Sequence, residues 1–346
     1  MKLRYIAIFL ISSLFIFANV NAGEQPQLTH QFGGTVQTWA SFSQIGPDTN
    51  NAAFGLRRVR FRYYAQYDEV KLFVQSELTS GSLLDARIEY YFNDAFNVRA
   101  GRFIGAGVRS GGLTSHTKID IIERPISARK WGAMTVGSDY RDYGFQVEGN
   151  VSSFTGRLWV HNGDGSTNNT NRAGDFYSDQ DKTRKKGDSL PSAVDAMIIH
   201  KPESIKGLEV GGHYGIGNED IGRDYSSYSV YGYYSPGPLR IKAELISHTT
   251  NGVAGADDKN MMGYYLFGGY SLSNNFELLG RFENYDPNTD FDDDGLSLIT
   301  VGAAYNKFDN TSNNRVVAAI VLPTNEGSDL DDMGFQVMWQ FLFKTK

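Results

Sequence analysis

The chain contains no cysteine in 346 residues, and only nine prolines. An exported protein of this composition must hold together without disulfides, which excludes a disulfide-stapled secreted scaffold. Past the first two dozen residues, no run is apolar enough to cross a membrane as a helix. There is no Pro/Ser-rich linker, no low-complexity tract and no change of texture from Gln31 to Phe343. Length alone would suggest about two domains, but nothing in the sequence marks a boundary. Catalytic signatures are missing as well: no G-x-S-x-G, H-E-x-x-H, G-x-G-x-x-G or P-loop occurs. His30, His116, His161, His200, His213 and His248 are scattered, with no pair at metal-ligand spacing.

The first 22 residues read as a cleaved secretory leader. Lys2 and Arg4 form a positive start, Ile6 to Phe17 an apolar core, and Val20-Asn21-Ala22 a small-residue cleavage site. That core is too short for a membrane anchor. Residues 23–346 would then form the mature domain. The whole chain has 33 basic and 39 acidic residues, a net of −6, and loss of Lys2 and Arg4 leaves −8. Such acidity excludes nucleic acid as the partner.

What the sequence does have is glycine, aromatics and alternation. It carries 38 Gly, 20 Tyr and 22 Phe. Apolar and polar residues alternate with period 2 over segments of strand length. Val59, Phe61, Tyr63, Ala65 and Tyr67 share one face, opposite Arg58, Arg60, Arg62, Tyr64 and Gln66. At the other end of the chain, Phe335, Val337, Trp339 and Phe341 lie opposite Gln336, Met338 and Gln340. We read about 16 strands, at 31–43, 55–67, 70–79, 84–93, 96–103, 142–150, 154–162, 192–202, 207–217, 226–235, 239–250, 260–272, 276–286, 295–308, 314–323 and 332–343.

The connections alternate in length. One set is tight, including Asp68-Glu69, Asn93-Asp94-Ala95 and Pro236-Gly237-Pro238. The other includes long polar runs at 44–54, 104–141, 163–191, 251–259, 287–294 and 324–331, with a short exception near Ser80 to Leu83. Short turns on one side and long loops on the other are the asymmetry of an outer-membrane β-barrel. The charged faces carry Arg58, Arg60, Arg62, Arg87, Arg99, Arg157 and Arg281, opposite faces rich in Tyr, Phe, Val and Leu. Closing about 16 such strands sets the apolar faces on lipid and the charged faces on a water-filled lumen. The expected fold is therefore all-β: a transmembrane antiparallel β-barrel with short periplasmic turns and long outer loops.

The third outer connection interrupts this regularity. Its 104–141 run carries Arg109, Lys118, Arg124, Arg129 and Lys130 against Asp120 and Glu123 up to Trp131. Loops this long inside a compact domain are usually functional. We expect it to fold into the lumen, with Glu123-Arg124 as a structural tether and Arg109 and Lys118 facing the pore. The column Arg58, Arg60, Arg62 repeats about every 7 Å and offers a passing anion successive shallow sites. Pairing with Glu77 or Glu89, or a place at the rim against lipid headgroups, are the plainer alternatives. Arg87 and Arg99 belong to the same expected pore lining.

These features resemble the phosphate-selective porin family of Gram-negative outer membranes, the O and P type porins. The matching residues are Phe32-Gly33-Gly34 with Val36-Gln37, Arg57-Arg58-Val59-Arg60-Phe61, Gly101-Arg102-Phe103, Glu123-Arg124 and Asp142-Tyr143-Gly144-Phe145-Gln146-Val147. The resemblance implies a 16-stranded barrel, a homotrimer, a constriction made by the third outer loop, and passage of phosphate or similar anions. Two departures stand out. Lys344-Thr345-Lys346 follow Phe343, where such barrels end on an aromatic residue, and the loop has no dense arginine ladder.

Two loop features remain. Lys182, Arg184, Lys185 and Lys186 form a basic run beside several aspartates, which reads as a solvated charge cluster. Asp290, Asp292 and Asp294 before Gly295 imitate the start of a calcium loop, but Val301 stands where an EF-hand needs Glu. A loosely held Ca2+ bridging lipopolysaccharide is one reading of these aspartates, and a flexible acidic loop is the plainer one. No other cofactor is expected. The functional expectation is passive diffusion of small hydrophilic solutes, favouring anions, by a protein of the bacterial outer membrane. A non-selective or cation-favouring pore, a barrel enzyme with a site assembled across strands, and a plugged structural barrel are the alternatives.

Overall fold

A computed structural model of the protein describes residues 27–45, 49–163, 193–218, 224–252, 256–307, 313–326 and 333–345. The leader at 1–22 and the basic run Lys182 to Lys186 lie outside the described residues. The chain forms β1 (Thr29–Ile45), β2 (Thr49–Tyr67), β3 (Val70–Glu77), β4 (Ser82–Asn93), β5 (Phe96–Phe103) and helix α1 (Ile126–Thr135). Next come β6 (Asp142–Val151), β7 (Phe154–His161), β8 (Ala193–His200), β9 (Leu208–Asn218), β10 (Asp224–Tyr234) and β11 (Leu239–Thr250). The last five are β12 (Lys259–Ser271), β13 (Phe276–Asp286), β14 (Leu296–Asn306), β15 (Asn314–Asn325) and β16 (Met333–Lys344).

Each strand pairs antiparallel with its sequence neighbours, and β1 pairs with β16 to close the barrel. The expected strands all form, and the largest boundary difference is at β2, which starts at Thr49 rather than near 55. There β1 and β2 pair as a tall hairpin out to Ile45↔Thr49. Tight turns use left-handed residues where two strands must reverse at once: Asp68 has φ 54° and Ser152 has φ 52°. The tail that departs from the aromatic-ending pattern continues the closing ladder, with Thr345 N–H donating to the Phe32 carbonyl at 2.8 Å.

The faces are as alternation requires. Along β12, Met261, Tyr265 and Phe267 point inward and are buried, while Met262, Tyr264, Leu266 and Tyr270 point outward. Leu56, Ile198, Leu266 and Trp339 are each more than half exposed on the outer surface. At roughly 25 cal/mol per Å² of apolar surface, a belt of such residues around the whole barrel is unfavourable in water and favourable in lipid. Among the described residues, no helix is long and apolar enough to cross a membrane; the chain crosses with strands. The buried core lies inside the barrel, where Phe103, Val108, Ile121, Ile122 and Trp131 pack against wall residues such as Trp159, Tyr231 and Phe267.

Candidate functional site

The third outer loop, residues 104–141, fills much of the lumen and is fastened to nearly every part of the wall. It leaves β5 through Gly105, where a Cβ would stand 2.0 Å from the Trp159 ring; only glycine admits that approach. The backbone N–H groups of Arg109 and Ser110 then donate to the Glu244 carboxylate on β11 at 2.6 and 2.9 Å. A short 3-10 turn at His116–Lys118 is held from below. Gln37 donates to the His116 carbonyl and Gln340 to the Thr117 carbonyl, both at 3.1 Å. Arg62 donates to His116 Nε2 at 2.8 Å.

The chain next passes Asp120, whose carboxylate takes Arg240 at 2.6 Å and Lys242 at 2.7 Å. Glu123 follows, paired with both Arg57 and Arg58 on β2. By strict alternation Arg57 belongs on the lipid face. The register moves from Gln37↔Arg58 to Thr38↔Leu56, so Arg57 is the extra residue of a bulge, and the bulge re-aims it inward. The loop then crosses to β13, where α1 begins. Helix α1 has no side-chain cap of its own. Glu283 on β13 takes that place, accepting from Ile126 N–H at 2.6 Å, a carboxylate set at the positive end of the helix. Trp131 Nε1–H donates to Ser227 at 3.1 Å. Gly263 on β12 lets the helix lie close, since a Cβ there would be 2.6 Å from that of Ser127. Arg141 returns the chain to the wall by pairing with Asp85 at 2.8 Å.

Burial and fixed charge set the ionisation of this loop. Burial raises the Glu123 carboxyl, but Arg58 and Arg57 outweigh it and hold the group at about 2. Burial likewise opposes the charge on Asp120, and Lys242 and Arg240 bring its pKa below the ordinary value. His116 is lowered well below an ordinary histidine, first by burial and then by Arg60, Arg62 and Arg58. Burial also lowers Arg124 to about 10.

The loop divides the lumen. The larger space, about 1100 Å³, lies against β2–β9 and is lined by Arg58, Arg60, Arg62, Arg87, Arg99, Arg109, Glu123, Arg124 and Arg129 among others. The column Arg58, Arg60, Arg62 does face the lumen, and each member is engaged. Arg58 meets Gln37 and Glu123, Arg60 meets Glu77 at 2.9 Å, and Arg62 meets the neutral groups of Gln75, Thr35 and His116. Arg87 pairs with Asp85 and Glu89. Cations share carboxylates elsewhere: Arg57 with Arg58 on Glu123, Arg99 with Arg157 on Glu148, and Arg109 with Lys201 on Glu209. One carboxylate between two cations leaves one positive charge uncompensated.

The expectations for single residues divide. Glu123 is a tether, but Arg124 anchors the loop to itself, donating to the carbonyls of Gly111 at 2.8 Å and Thr114 at 2.6 Å. Arg109 lines the larger space while paired with Glu209 at 2.6 Å. Lys118 is exposed yet lines neither space, and Lys130 stands 5.8 Å over the Tyr285 ring. Arg129 is the exposed loop cation that reaches the lumen, and it borders both spaces. Asp290 accepts from Asn260 at 3.0 Å, and among the described residues no group of three acidic or histidine side chains is placed to hold a metal, so Asp290, Asp292 and Asp294 are not gathered into a ligand set.

Sequence reasoning missed Arg57, because only the bulge turns it inward. It also missed Arg102 and Arg141. Gly101, at φ 120°, breaks the alternation, so that Arg102 and Phe103 are both buried inside. The scattered histidines also hid a relation that the fold creates: His161 and His213, on β7 and β9, both meet Asp195 on β8, at 2.5 and 2.6 Å.

No family model matches the chain and no curated protein matches it in sequence. The fold is that of solved outer-membrane barrels. The chain is similar to an anion-selective porin from Comamonas acidovorans, with a TM-score of 0.67 at 15% identity, covering 92% of this chain and 100% of that one. In-vitro folded OmpT, an outer membrane protein of Vibrio cholerae, aligns with a TM-score of 0.65 at 14% identity over 94% of this chain and 100% of that one. OprB of Pseudomonas putida aligns at 0.60 and 10% identity, covering 91% and 94%. A transmembrane 16-stranded barrel is thus reached from three directions: alternation, geometry and structural likeness.

Proposed function

We propose that the protein is an outer-membrane porin through which small hydrophilic solutes diffuse passively, with a preference for anions. The carrying observation is the shared carboxylates of the larger lumenal space. Arg57/Arg58 and Arg109/Lys201 each divide one acid, and Arg62 hydrogen-bonds only neutral groups. The wall therefore keeps positive charge although the whole chain is acidic. Fixed cations along a narrow aqueous route attract anions and repel cations without energy input or cofactor. The anion-selective character of the Comamonas porin supports the same reading. In this reading residues 1–22 direct export and are removed, the outer surface meets lipid and lipopolysaccharide, and three copies assemble, as in the trimer form of Vibrio cholerae OmpT.

The deciding experiment is the reversal potential of the purified protein in a planar bilayer under a KCl gradient. An anion-selective potential, with current reduced by added phosphate, supports a phosphate-type porin. A cation-selective potential removes the anion preference, and absence of conductance removes the pore.

A further inference from the structure

The smaller lumenal space differs in kind from the larger one. It occupies about 430 Å³ between the loop and the wall formed by β14, β15, β16 and β1, within the usual range for a small-molecule site. Trp39, Ile121, Ile122, Leu298, Val321 and Pro323 form its apolar lining, and the two carboxylates that also border it, Glu123 and Glu283, are already paired with arginines. Its inner end is shut. Below Trp39 and Gln336, Gln37 and Gln340 bond to each other at 2.5 Å and to the loop carbonyls of His116 and Thr117 at 3.1 Å. Arg315 seals the next position by donating to the Asp120 carbonyl at 2.9 Å. The space is therefore blind at that end, and it adjoins the larger space at Arg57, Glu123, Arg124 and Arg129.

At its rim stand Arg57, Arg281 and Arg129. Arg57 is committed to Glu123, and Arg281 to Glu283 and the Glu123 carbonyl. No carboxylate pairs with the Arg129 guanidinium among the described residues. An apolar blind pocket with an available guanidinium at its mouth fits one chemistry: a hydrocarbon or aryl body that fills the pocket, and a carboxylate that meets the cation. We infer that this pocket is a binding site for small amphiphilic monocarboxylates, with Arg129 holding the carboxylate and Trp39, Ile122 and Val321 packing on the apolar body. The inference does not rest on ion selectivity, since a blind site binds whether or not the main route conducts.

The test is equilibrium binding by calorimetry to the full protein in lipid nanodiscs, with empty nanodiscs as reference and 4-phenylbutyrate as probe. We expect saturable binding to one site per chain. Acetate, lacking the apolar body, and 4-phenylbutanol, lacking the charge, should each bind about tenfold weaker or less, the worth of one charge-assisted contact or one buried ring. Arg129→Gln should weaken 4-phenylbutyrate about tenfold, Arg129→Lys should retain most of the binding, and Val321→Phe, which fills the pocket from the opposite wall, should abolish it. Heat indistinguishable from empty nanodiscs would overturn the site, as would wild-type affinity in both Arg129→Gln and Val321→Phe. Because the readout is heat and not current, its failure is separate from any failure of the pore.

Discussion

The Glu283 carboxylate on β13 accepts a hydrogen bond from the backbone N–H of Ile126, 157 residues away in sequence, at 2.6 Å. This one contact joins the wall to the start of the lumenal helix and satisfies a donor that the helix cannot satisfy itself. Arg281 pairs with the same carboxylate at 2.7 Å, so the cap is neutralised from the side.

Replacing that cap should free the helix. Glu283→Gln keeps the shape but removes the charge at the helix N-terminus, a loss of about 1–2 kcal/mol in a partly buried setting. We expect noisier single-channel currents and faster trypsin cleavage at Arg129 and Lys130, with the barrel itself intact. Cleavage at the wild-type rate would show that the cap does not hold the loop.

Charge in the larger space should follow the pairing. Arg62 has neutral partners only, so Arg62→Gln removes a net charge, whereas Arg60→Gln also strands Glu77. One unit charge at ~8 Å across water is worth about 0.5 kcal/mol, or about twofold in local anion concentration. The anion-to-cation permeability ratio should fall by about that factor in Arg62→Gln and further in the triple replacement of Arg58, Arg60 and Arg62 by Ala. An unchanged ratio in the triple variant removes the column from the permeation path.

Acid should loosen the loop in two stages. His116 is held neutral, below its ordinary 6.5, so its contribution is complete above that value and declines as pH falls beneath it. Glu123, ordinarily near 4.5 and held at about 2, contributes fully above 4.5 and is lost as pH falls toward 2. Single-channel noise recorded from pH 8 downward should rise first below about 6.5 and again below about 4.5. His116→Asn should remove the first rise and keep the second.

Crowding the helix should have the opposite origin and a similar result. Gly263→Val puts a side chain where Ser127 already lies within 2.6 Å of the Cβ position. Overpacking of this kind costs about 1–3 kcal/mol. We expect α1 to shift from β12 toward the centre of the lumen and conductance to fall. A variant with wild-type conductance would place the helix elsewhere in the membrane-bound protein.

The barrel was legible in the sequence because its two determinants are local. Period-2 alternation assigns each residue between Arg58 and Tyr67 to lumen or lipid without reference to any partner, and alternating loop length orders the strands. The inward loop was legible for the same reason, as a long charged interruption between Phe103 and Asp142. The pairing of its charges was not. Glu123 meets Arg57 because a bulge shifts one residue against β1, Arg109 meets Glu209 from a strand 100 residues on, and Ile126 meets Glu283 across the lumen. Sequence alone determined which faces are charged; closure of the barrel decided which charges neutralise one another, because partners across a lumen are set by strand register and loop path, and neither has a local signature.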